Sequence, residues 1–288
     1  MKLENPYLDQ STPFLKGNLH AHTTESDGKR SPQDVVDDYA ARGYDFLMIS
    51  DHDKLTHPSR VDGRGMVMIP GNEISAKGPH LLHINAKTLI PPQEDRQKVI
   101  DAINEEKSYA VLNHPNWQDH FNHCPQEKLD AWKGYIGIEV YNGVIRRLTG
   151  SPLATDRWDR LLGAGRRMWG FANDDSHDDI DVELAWNMVQ AKSRTVEGVV
   201  SAMVAGSFYG TTGIILDRIE VQGRTIHVSS KNAERMVVVS DFGKRECQID
   251  RGELTFHVPP DKGYSYLRVE AYGGPEQMAW TQPFFIKR

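Results

Sequence analysis

Six histidines and three carboxylates of this chain stand at the ends of short apolar, strand-like runs. The first run leads to His20 and His22 and into the loop Thr23-Thr24-Glu25-Ser26-Asp27-Gly28. The others end in Asp51-His52-Asp53, Asn72-Glu73, His83, Asn113-His114-Pro115 and Asp174-Asp175-Ser176-His177. One histidine after a strand is ordinary. Nine candidate ligands on six strand ends call for a fold that gathers strand termini at one mouth. Imidazole and carboxylate together suit Zn, Mn or Fe. His20 and His22 are two residues apart, so on a strand they share a face and can chelate one ion; Asp175 and His177 repeat that spacing. Glu73 can link two ions, because a carboxylate has two oxygens to offer.

The spacing of the other segments fits such a mouth. Ser31-Pro32 reads as an N-cap followed by proline at the first helical position, Val35, Val36, Tyr39 and Ala40 keep helical spacing, and Gly43 stops the helix. A strand follows over 44–50. Val99, Ile100 and Ile103 mark a helix before the strand 109–113. Ser151-Pro152 opens another before the strand 168–172, and a last helix covers 195–205. Alternation of this kind predicts an α/β fold with a parallel sheet, closed or nearly closed as a distorted seven-stranded (β/α)7 TIM-like barrel over residues 14–210. In such barrels reactive groups collect at the C-terminal strand ends. From about residue 214 the texture changes to short strands separated by Gly223, Asp241-Phe242-Gly243, Pro259-Pro260 and Gly273-Gly274-Pro275. Residues 214–288 therefore read as a small antiparallel β module that packs against the barrel and carries no ligand cluster.

Composition narrows the function. The chain has 288 residues, enough for a large core, and a net charge of −6, which argues against a general nucleic-acid or anionic-membrane binder. No segment approaches the roughly 18–20 apolar residues of a membrane span. Cys124 and Cys247 are far apart in sequence and read as unpaired thiols of a reducing, cytoplasmic setting.

The strings His20-x-His22, Asp51-His52, Glu73, His83, His114-Pro115 and Asp175-x-His177 resemble the motifs of the PHP (polymerase and histidinol phosphatase) superfamily. Lys16-Gly17-Asn18-Leu19-His20, Gly43-Tyr44-Asp45-Phe46-Leu47 and Asp174-Asp175-Ser176-His177 are most similar to its carbaryl-hydrolase-like branch. The resemblance covers roughly residues 14–210. It implies two or three divalent metals (Zn, Mn or Fe). His20, His22, Glu73 and Asp175 would hold one ion, Glu73, His83 and His114 a second, and Asp27, His52 and His177 a third. The implied activity is hydrolysis by a metal-bridging hydroxide, with Glu73 and Asp175 in the catalytic centre and no serine or cysteine nucleophile needed.

Charge bears on the substrate. Three divalent ions against three carboxylates leave roughly +3, which favours a small phosphorylated molecule; two ions leave roughly +1, which suits a carbamate, amide or carboxylic ester as well. Arg146 and Arg147 are candidate phosphate clamps, Asn142 and Asn116 candidate substrate contacts, and Asp53 or Lys54 a candidate proton donor. Relatives of the phosphatase kind often carry a basic residue after His-Pro, where Asn116-Trp117 stands here, and some place histidine at the position of Asp27. His57, His80, His120 and His123 read as rim residues of the mouth, and His227 and His257 as surface positions of the β module. Trp117 and Trp186 are candidate pocket walls. A phosphoesterase is the expected function, a carbamate or ester hydrolase the alternative, and a metal-loaded module without turnover a third reading.

Overall fold

The computed structural model describes residues 2–287, and helix caps read from the sequence hold where their hydrogen bonds form. The Ser31 hydroxyl accepts from the Asp34 amide at 3.2 Å, and the helix Pro32–Ala41 buries Val35, Val36 and Tyr39. Thr195 caps Val196–Ala205 likewise, and left-handed Gly206 ends it. Arg96–Glu105 supplies the helix marked by Val99, Ile100 and Ile103. The helix expected from Ser151-Pro152 begins only at Thr155. Before it, the Ser151 amide is spent on the Asn116 carbonyl and the Pro152 carbonyl on the Asn142 amide, so these residues brace loops instead.

The expected closed barrel does not form. Two sheets face a shared core, and their strands are not all parallel. In the first, Phe14–Asn18 pairs in parallel with Phe46–Leu47, which pairs in parallel with Val67–Met68. On its other side it pairs antiparallel with Trp186–Gln190, and the sheet continues antiparallel through Phe208–Thr211. In the second, Gly71–Ile74, Leu81–Ile84 and Tyr109–Leu112 are antiparallel, whereas Gly137–Asn142 and Trp169–Asn173 join in parallel. Leu19, Phe46, Leu82, Val111, Phe171 and Phe208 from both sheets pack into one buried cluster.

Side chains close the seam where a backbone ladder would run between Trp169–Asn173 and Trp186–Gln190. Asn187 accepts from the Ala172 amide at 3.1 Å and donates to its carbonyl at 2.8 Å. Gln282 does the same for Gly170, at 2.9 and 2.7 Å. Buried backbone groups need partners, and these amides provide them without pulling the strands into register.

The C-terminal strands continue the first sheet across the boundary expected near residues 210–214. Phe208–Thr211 pairs with Met278–Thr281, which pairs with Tyr266–Tyr272, and Gln282 belongs to the seam just described. Arg218–Gln222, Thr225–Ser229 and Glu253–His257 form a separate antiparallel sheet. It encloses a second core with Met236, Val238, Leu267 and Val269, and one residue in two along Thr225–Ser229 (Ile226, Val228) is buried.

An almost fully buried arginine ties these strands to the helix Thr155–Gly163. Arg268 donates to both Asp159 oxygens, at 2.8 and 2.7 Å, and to Glu270 at 2.6 Å. Tyr266 adds its hydroxyl to Asp159 at 2.8 Å. Removing Asp159 leaves Arg268 to Glu270 alone and unmakes a buried bidentate pair and the Tyr266 bond, at a cost of about 3–5 kcal/mol. Asp159→Ala is therefore expected to lower unfolding free energy by about that amount. Urea denaturation measures it; a loss below about 1 kcal/mol would show that the C-terminal strands dock without this pair.

Candidate metal centre

Four residues from three segments meet at the base of the site. The segment after Phe14–Asn18 brings His20 and His22, Gly71–Ile74 brings Glu73, and the turn after Trp169–Asn173 brings Asp175; all four are buried. His20 Nε2 and His22 Nε2 lie 3.1 and 3.0 Å from Asp175 Oδ1, and 3.4 and 3.6 Å from the two Glu73 oxygens. Yet His20 Nε2, His22 Nε2, Glu73 Oε2 and Asp175 Oδ1 make no hydrogen bond. Buried polar atoms without partners are uncommon. Four crowded together, all of ligating type, fit a cation as their missing partner.

Further ligands surround this base. His52 Nδ1 is 2.8 Å from Glu73 Oε2, His80 Nδ1 is 3.1 Å and His114 Nε2 3.2 Å from Glu73 Oε1. Asp27 lies 3.5 Å from His52, 3.4 Å from His177 and 3.7 Å from His22. Groups able to hold one ion include His22, Asp27, His52 and His177; His20, His22 and Glu73; His20, His114 and Asp175; and His52, Glu73 and His80. Eight of the nine residues picked out from the sequence thus come together.

His83 does not. Its Nε2 is 2.6 Å from Glu106 Oε1, away from the cluster, and His80 stands beside Glu73 instead. The reason is strand direction. Leu81–Ile84 runs antiparallel to both neighbours, so its start, not its end, lies at the mouth. The rule of C-terminal strand ends holds for parallel strands and selects the wrong histidine here. The Asn113 amide donates to the His80 carbonyl at 3.1 Å, which fixes His80 beside His114.

A layer of buried polar residues aims the ligands. Glu139 accepts from His20 Nδ1 at 2.8 Å, so Nε2 is left to face inward, and it also takes the His114 amide and the side-chain amides of Asn142 and Asn173. Asn113 donates to Glu73 at 2.6 Å. Asp51 receives the Thr23 amide at 2.8 Å, the Ser26 hydroxyl at 2.8 Å and the Thr56 hydroxyl at 2.6 Å, and so shapes the loop that carries Asp27. A Cβ on Gly28 would stand 2.5 Å from the His22 backbone, so that loop requires glycine. His114 (φ 27°) and Asp175 (φ 55°) sit in the left-handed region, which turns each side chain in from its strand end. Glu139 escaped the sequence reading, although a carboxylate inside the apolar run Gly137–Asn142 is itself a signal: buried acids need partners.

The other candidates are placed differently from expectation. Asp53 spends its carboxylate on the amides of Ser75 and Ala76 and the Ser75 hydroxyl, at 2.9–3.1 Å, and Lys54 bonds the Glu25 carbonyl. Neither lines the cavity over the cluster, so neither is poised as a proton donor. Asn116 is buried against Leu153, Asp156 and Arg157. Asn142 lies behind Asp175, donating to it at 3.1 Å. Arg146 pairs with Glu276, and Arg147, which does reach the cavity, is held by Asp181 through two 2.7 Å bonds. His123 is no rim residue: its Nε2 accepts the His80 amide at 3.0 Å. His57 and His120 are exposed, as a rim position requires; His227 and His257 bond threonines on the outer sheet. Trp186 is buried in the core under the helix Pro32–Ala41. Cys124 and Cys247 are unpaired, and burial pushes the Cys124 thiol up to about 12, which leaves it inert.

Burial and mutual charge set the protonation of the cluster. Burial works against ionised Glu73, but the charges of His20 and His80 hold it well below the usual carboxylate range. Asp175 is likewise depressed against burial, by His20 and His22. Burial lowers His20 and His52, but neighbouring acids overcome it: His20 ends well above its ordinary value and His52 at about 10. Burial holds His22 and His80 below their ordinary value. The raised His20 and His52 offset the charge of the neighbouring acids.

No family model matches the sequence, and no curated protein does. Among solved structures, the fold is shared with a two-domain protein of Bacteroides vulgatus containing a predicted PHP-like metal-dependent phosphoesterase. That match has a TM-score of 0.58 at 16% identity and covers 99% of this chain and 98% of that one. PsfC from Pseudomonas syringae matches with a TM-score of 0.50 at 14% identity, over 69% of this chain and 91% of that one. Identities this low establish likeness of fold alone. The first match runs through the C-terminal strands as well as the cluster, and neither points to the carbaryl-hydrolase-like branch. Among the described residues no helix is long and apolar enough to cross a membrane.

Metal analysis separates His80 from His83. His80→Ala is expected to lower bound divalent metal by about one ion per chain, or its affinity by more than about 10-fold, whereas His83→Gln leaves both near wild type. The reverse pattern, measured by elemental analysis and calorimetry, would restore His83 as the ligand.

Proposed function

We propose that this chain is a metal-dependent hydrolase acting on phosphoesters. The convergence of four unpartnered ligand atoms, from His20, His22, Glu73 and Asp175, carries that reading. Those four residues would hold one ion. Glu73, His80 and His114 would hold a second, and Asp27, His52 and His177 a third. Zn, Mn or Fe suits such a set. Divalent ions bound there supply the charge that polarises a phosphoryl oxygen and acidifies a water at neutral pH.

The chain's own residues prepare that chemistry. Glu73 offers an oxygen to each side of the cluster, with Asn113 fixing one of them. Glu139 sets the tautomer and direction of His20, and Asn142 steadies Asp175. Among the described residues no serine or cysteine lines the cavity, so no hydroxyl or thiol nucleophile competes with water there. The predicted PHP-like metal-dependent phosphoesterase contained in the Bacteroides vulgatus protein agrees with this reading. The unpaired cysteines suit a reducing compartment, in keeping with a cytoplasmic enzyme. A carbamate, amide or carboxylic ester is the alternative substrate, favoured by one observation: both arginines near the mouth are already committed to carboxylates.

Two variants test the proposal. Glu73→Gln is expected to keep the fold and lose at least about 100-fold in kcat/KM, because an amide joins two cations poorly. Asp27→Ala is expected to abolish phosphoester turnover while ions at the base of the cluster remain. Good turnover of a neutral carbamate or ester, with phosphoesters ignored and Asp27→Ala tolerated, would replace the phosphoesterase reading with the alternative.

A further inference from the structure

The cavity over the cluster is lined by two unlike chemistries. Its volume is about 320 Å³, and part of its lining is the imidazole and carboxylate set. The remainder is Trp117, Val144, Ile145 and Leu148, with Arg147 beside them. Val144 and Ile145 are buried, while Leu148 is 41% exposed. An adjoining groove runs from Ile145 and Leu148 to Ile180, which is 67% exposed, past the charged side chains of Arg146, Arg147, Asp181 and Glu276. Leu148 and Ile180 thus expose apolar side chains beside a polar site whose inner wall is also partly apolar.

This apolar surface is built in advance. The Gly143 and Val144 amides donate to the carbonyls of Asn173 and Asp174, at 2.8 and 2.9 Å, and so fasten the turn Val144–Arg147 to the strand end that presents Asp175. Trp117 forms a single antiparallel bridge with Gly150. Gly150 has φ 118°, and a Cβ there would meet the Asn116 carbonyl at 2.5 Å, so only glycine lets the two loops close on each other. The Trp117 ring packs on His114 and His123, with centroids 5.1 and 4.9 Å away, which anchors it to the cluster.

Apart from histidines, Arg147 is the only cation in the cavity lining among the described residues. Its fork is engaged by Asp181, which is 1% exposed and also takes the His177 and Asp178 amides. Asp181 takes two of the five N–H donors of Arg147 and neutralises its charge, so a second phosphate meets a cation that is already paired.

We propose that the site takes a phosphomonoester whose alcohol portion is an uncharged apolar group. That group would be seated on Trp117, Val144, Ile145 and Leu148, and a bisphosphate, nucleotide or polyol phosphate would be disfavoured. For the scissile group this rests on the function proposed above; the apolar seat stands on its own observations. A cavity of about 150 Å³ accepts a benzene ring, so the volume here holds one ring with a phosphoryl group beside it.

Binding to wild-type protein loaded with Mn tests the seat without turnover. Benzylphosphonate is expected to bind at least 10-fold tighter than methylphosphonate by calorimetry. Leu148→Ser and Trp117→Ala, checked for a wild-type circular dichroism spectrum, are expected to cut that ratio at least threefold. Equal binding of the two phosphonates, or a ratio untouched in both folded variants, overturns the proposal. In turnover, benzyl phosphate is expected to exceed glycerol phosphate and a nucleoside bisphosphate in kcat/KM, and preference for either of those also overturns it. The same groups attached to carbamates and carboxylic esters separate the two claims. A benzyl preference there without phosphoester turnover moves the scissile group and keeps the seat; phosphoester turnover without benzyl preference removes the seat and keeps the phosphoesterase. If neither phosphonate binds, equal turnover of benzyl and methyl carbamates decides against the seat, and a benzyl preference decides for it.

Discussion

Glu73, Asp175 and Glu139 place three carboxylates in one buried region, and the rest of the structure is arranged around that constraint. Ionised acids this deeply buried are costly unless paired or bound to a metal. Glu139 is satisfied entirely by protein: a histidine, two asparagines and a backbone amide. Glu73 and Asp175 are not, since each keeps one oxygen with no hydrogen bond. The difference divides supporting residues from ligating ones more sharply than position in the sequence does.

Accommodating that cluster accounts for the irregular parts of the fold. An all-backbone barrel would hold strands in register and point their termini along parallel lines. Here the seam is closed by Asn187 and Gln282, so Asp175 can turn in with a left-handed backbone toward His20 and His22. Gln282 comes from the last strands of the chain, and Arg268 locks those strands to the helix Thr155–Gly163. The C-terminal portion is thus part of the structure that shapes the site, although it contributes no ligand.

Much of the site was legible in the sequence because ligands of a metal cluster are chemically distinctive and stand at strand ends. His20, His22, Asp27, His52, Glu73, His114, Asp175 and His177 were all found that way. The exchange of His83 for His80 came from strand direction, which periodicity does not encode: Leu81–Ile84 looks the same whichever way it runs. Closure of the barrel was misread for a related reason, since a buried parallel strand and a buried antiparallel strand are both continuous apolar runs. That both arginines are paired with acids was not legible, because Asp181 and Glu276 lie 34 and 130 residues away along the chain. The strands Lys244–Ile249, Met278–Thr281 and Phe284–Lys287 went unnoticed in a tail whose pairing depends on the sheet it joins.

The central claim is that unsatisfied ligand atoms around Glu73 and Asp175 are completed by divalent cations. Metal content of the natively purified protein, combined with anomalous diffraction at the edge of the metal found, tests it most directly. At least two ions per chain are predicted, both within coordinating distance of Glu73 and one also of Asp175. A metal-free cluster, with Glu73 and Asp175 bonded only to protonated histidines and no gain in thermal stability on adding Zn, Mn or Fe, would contradict the account.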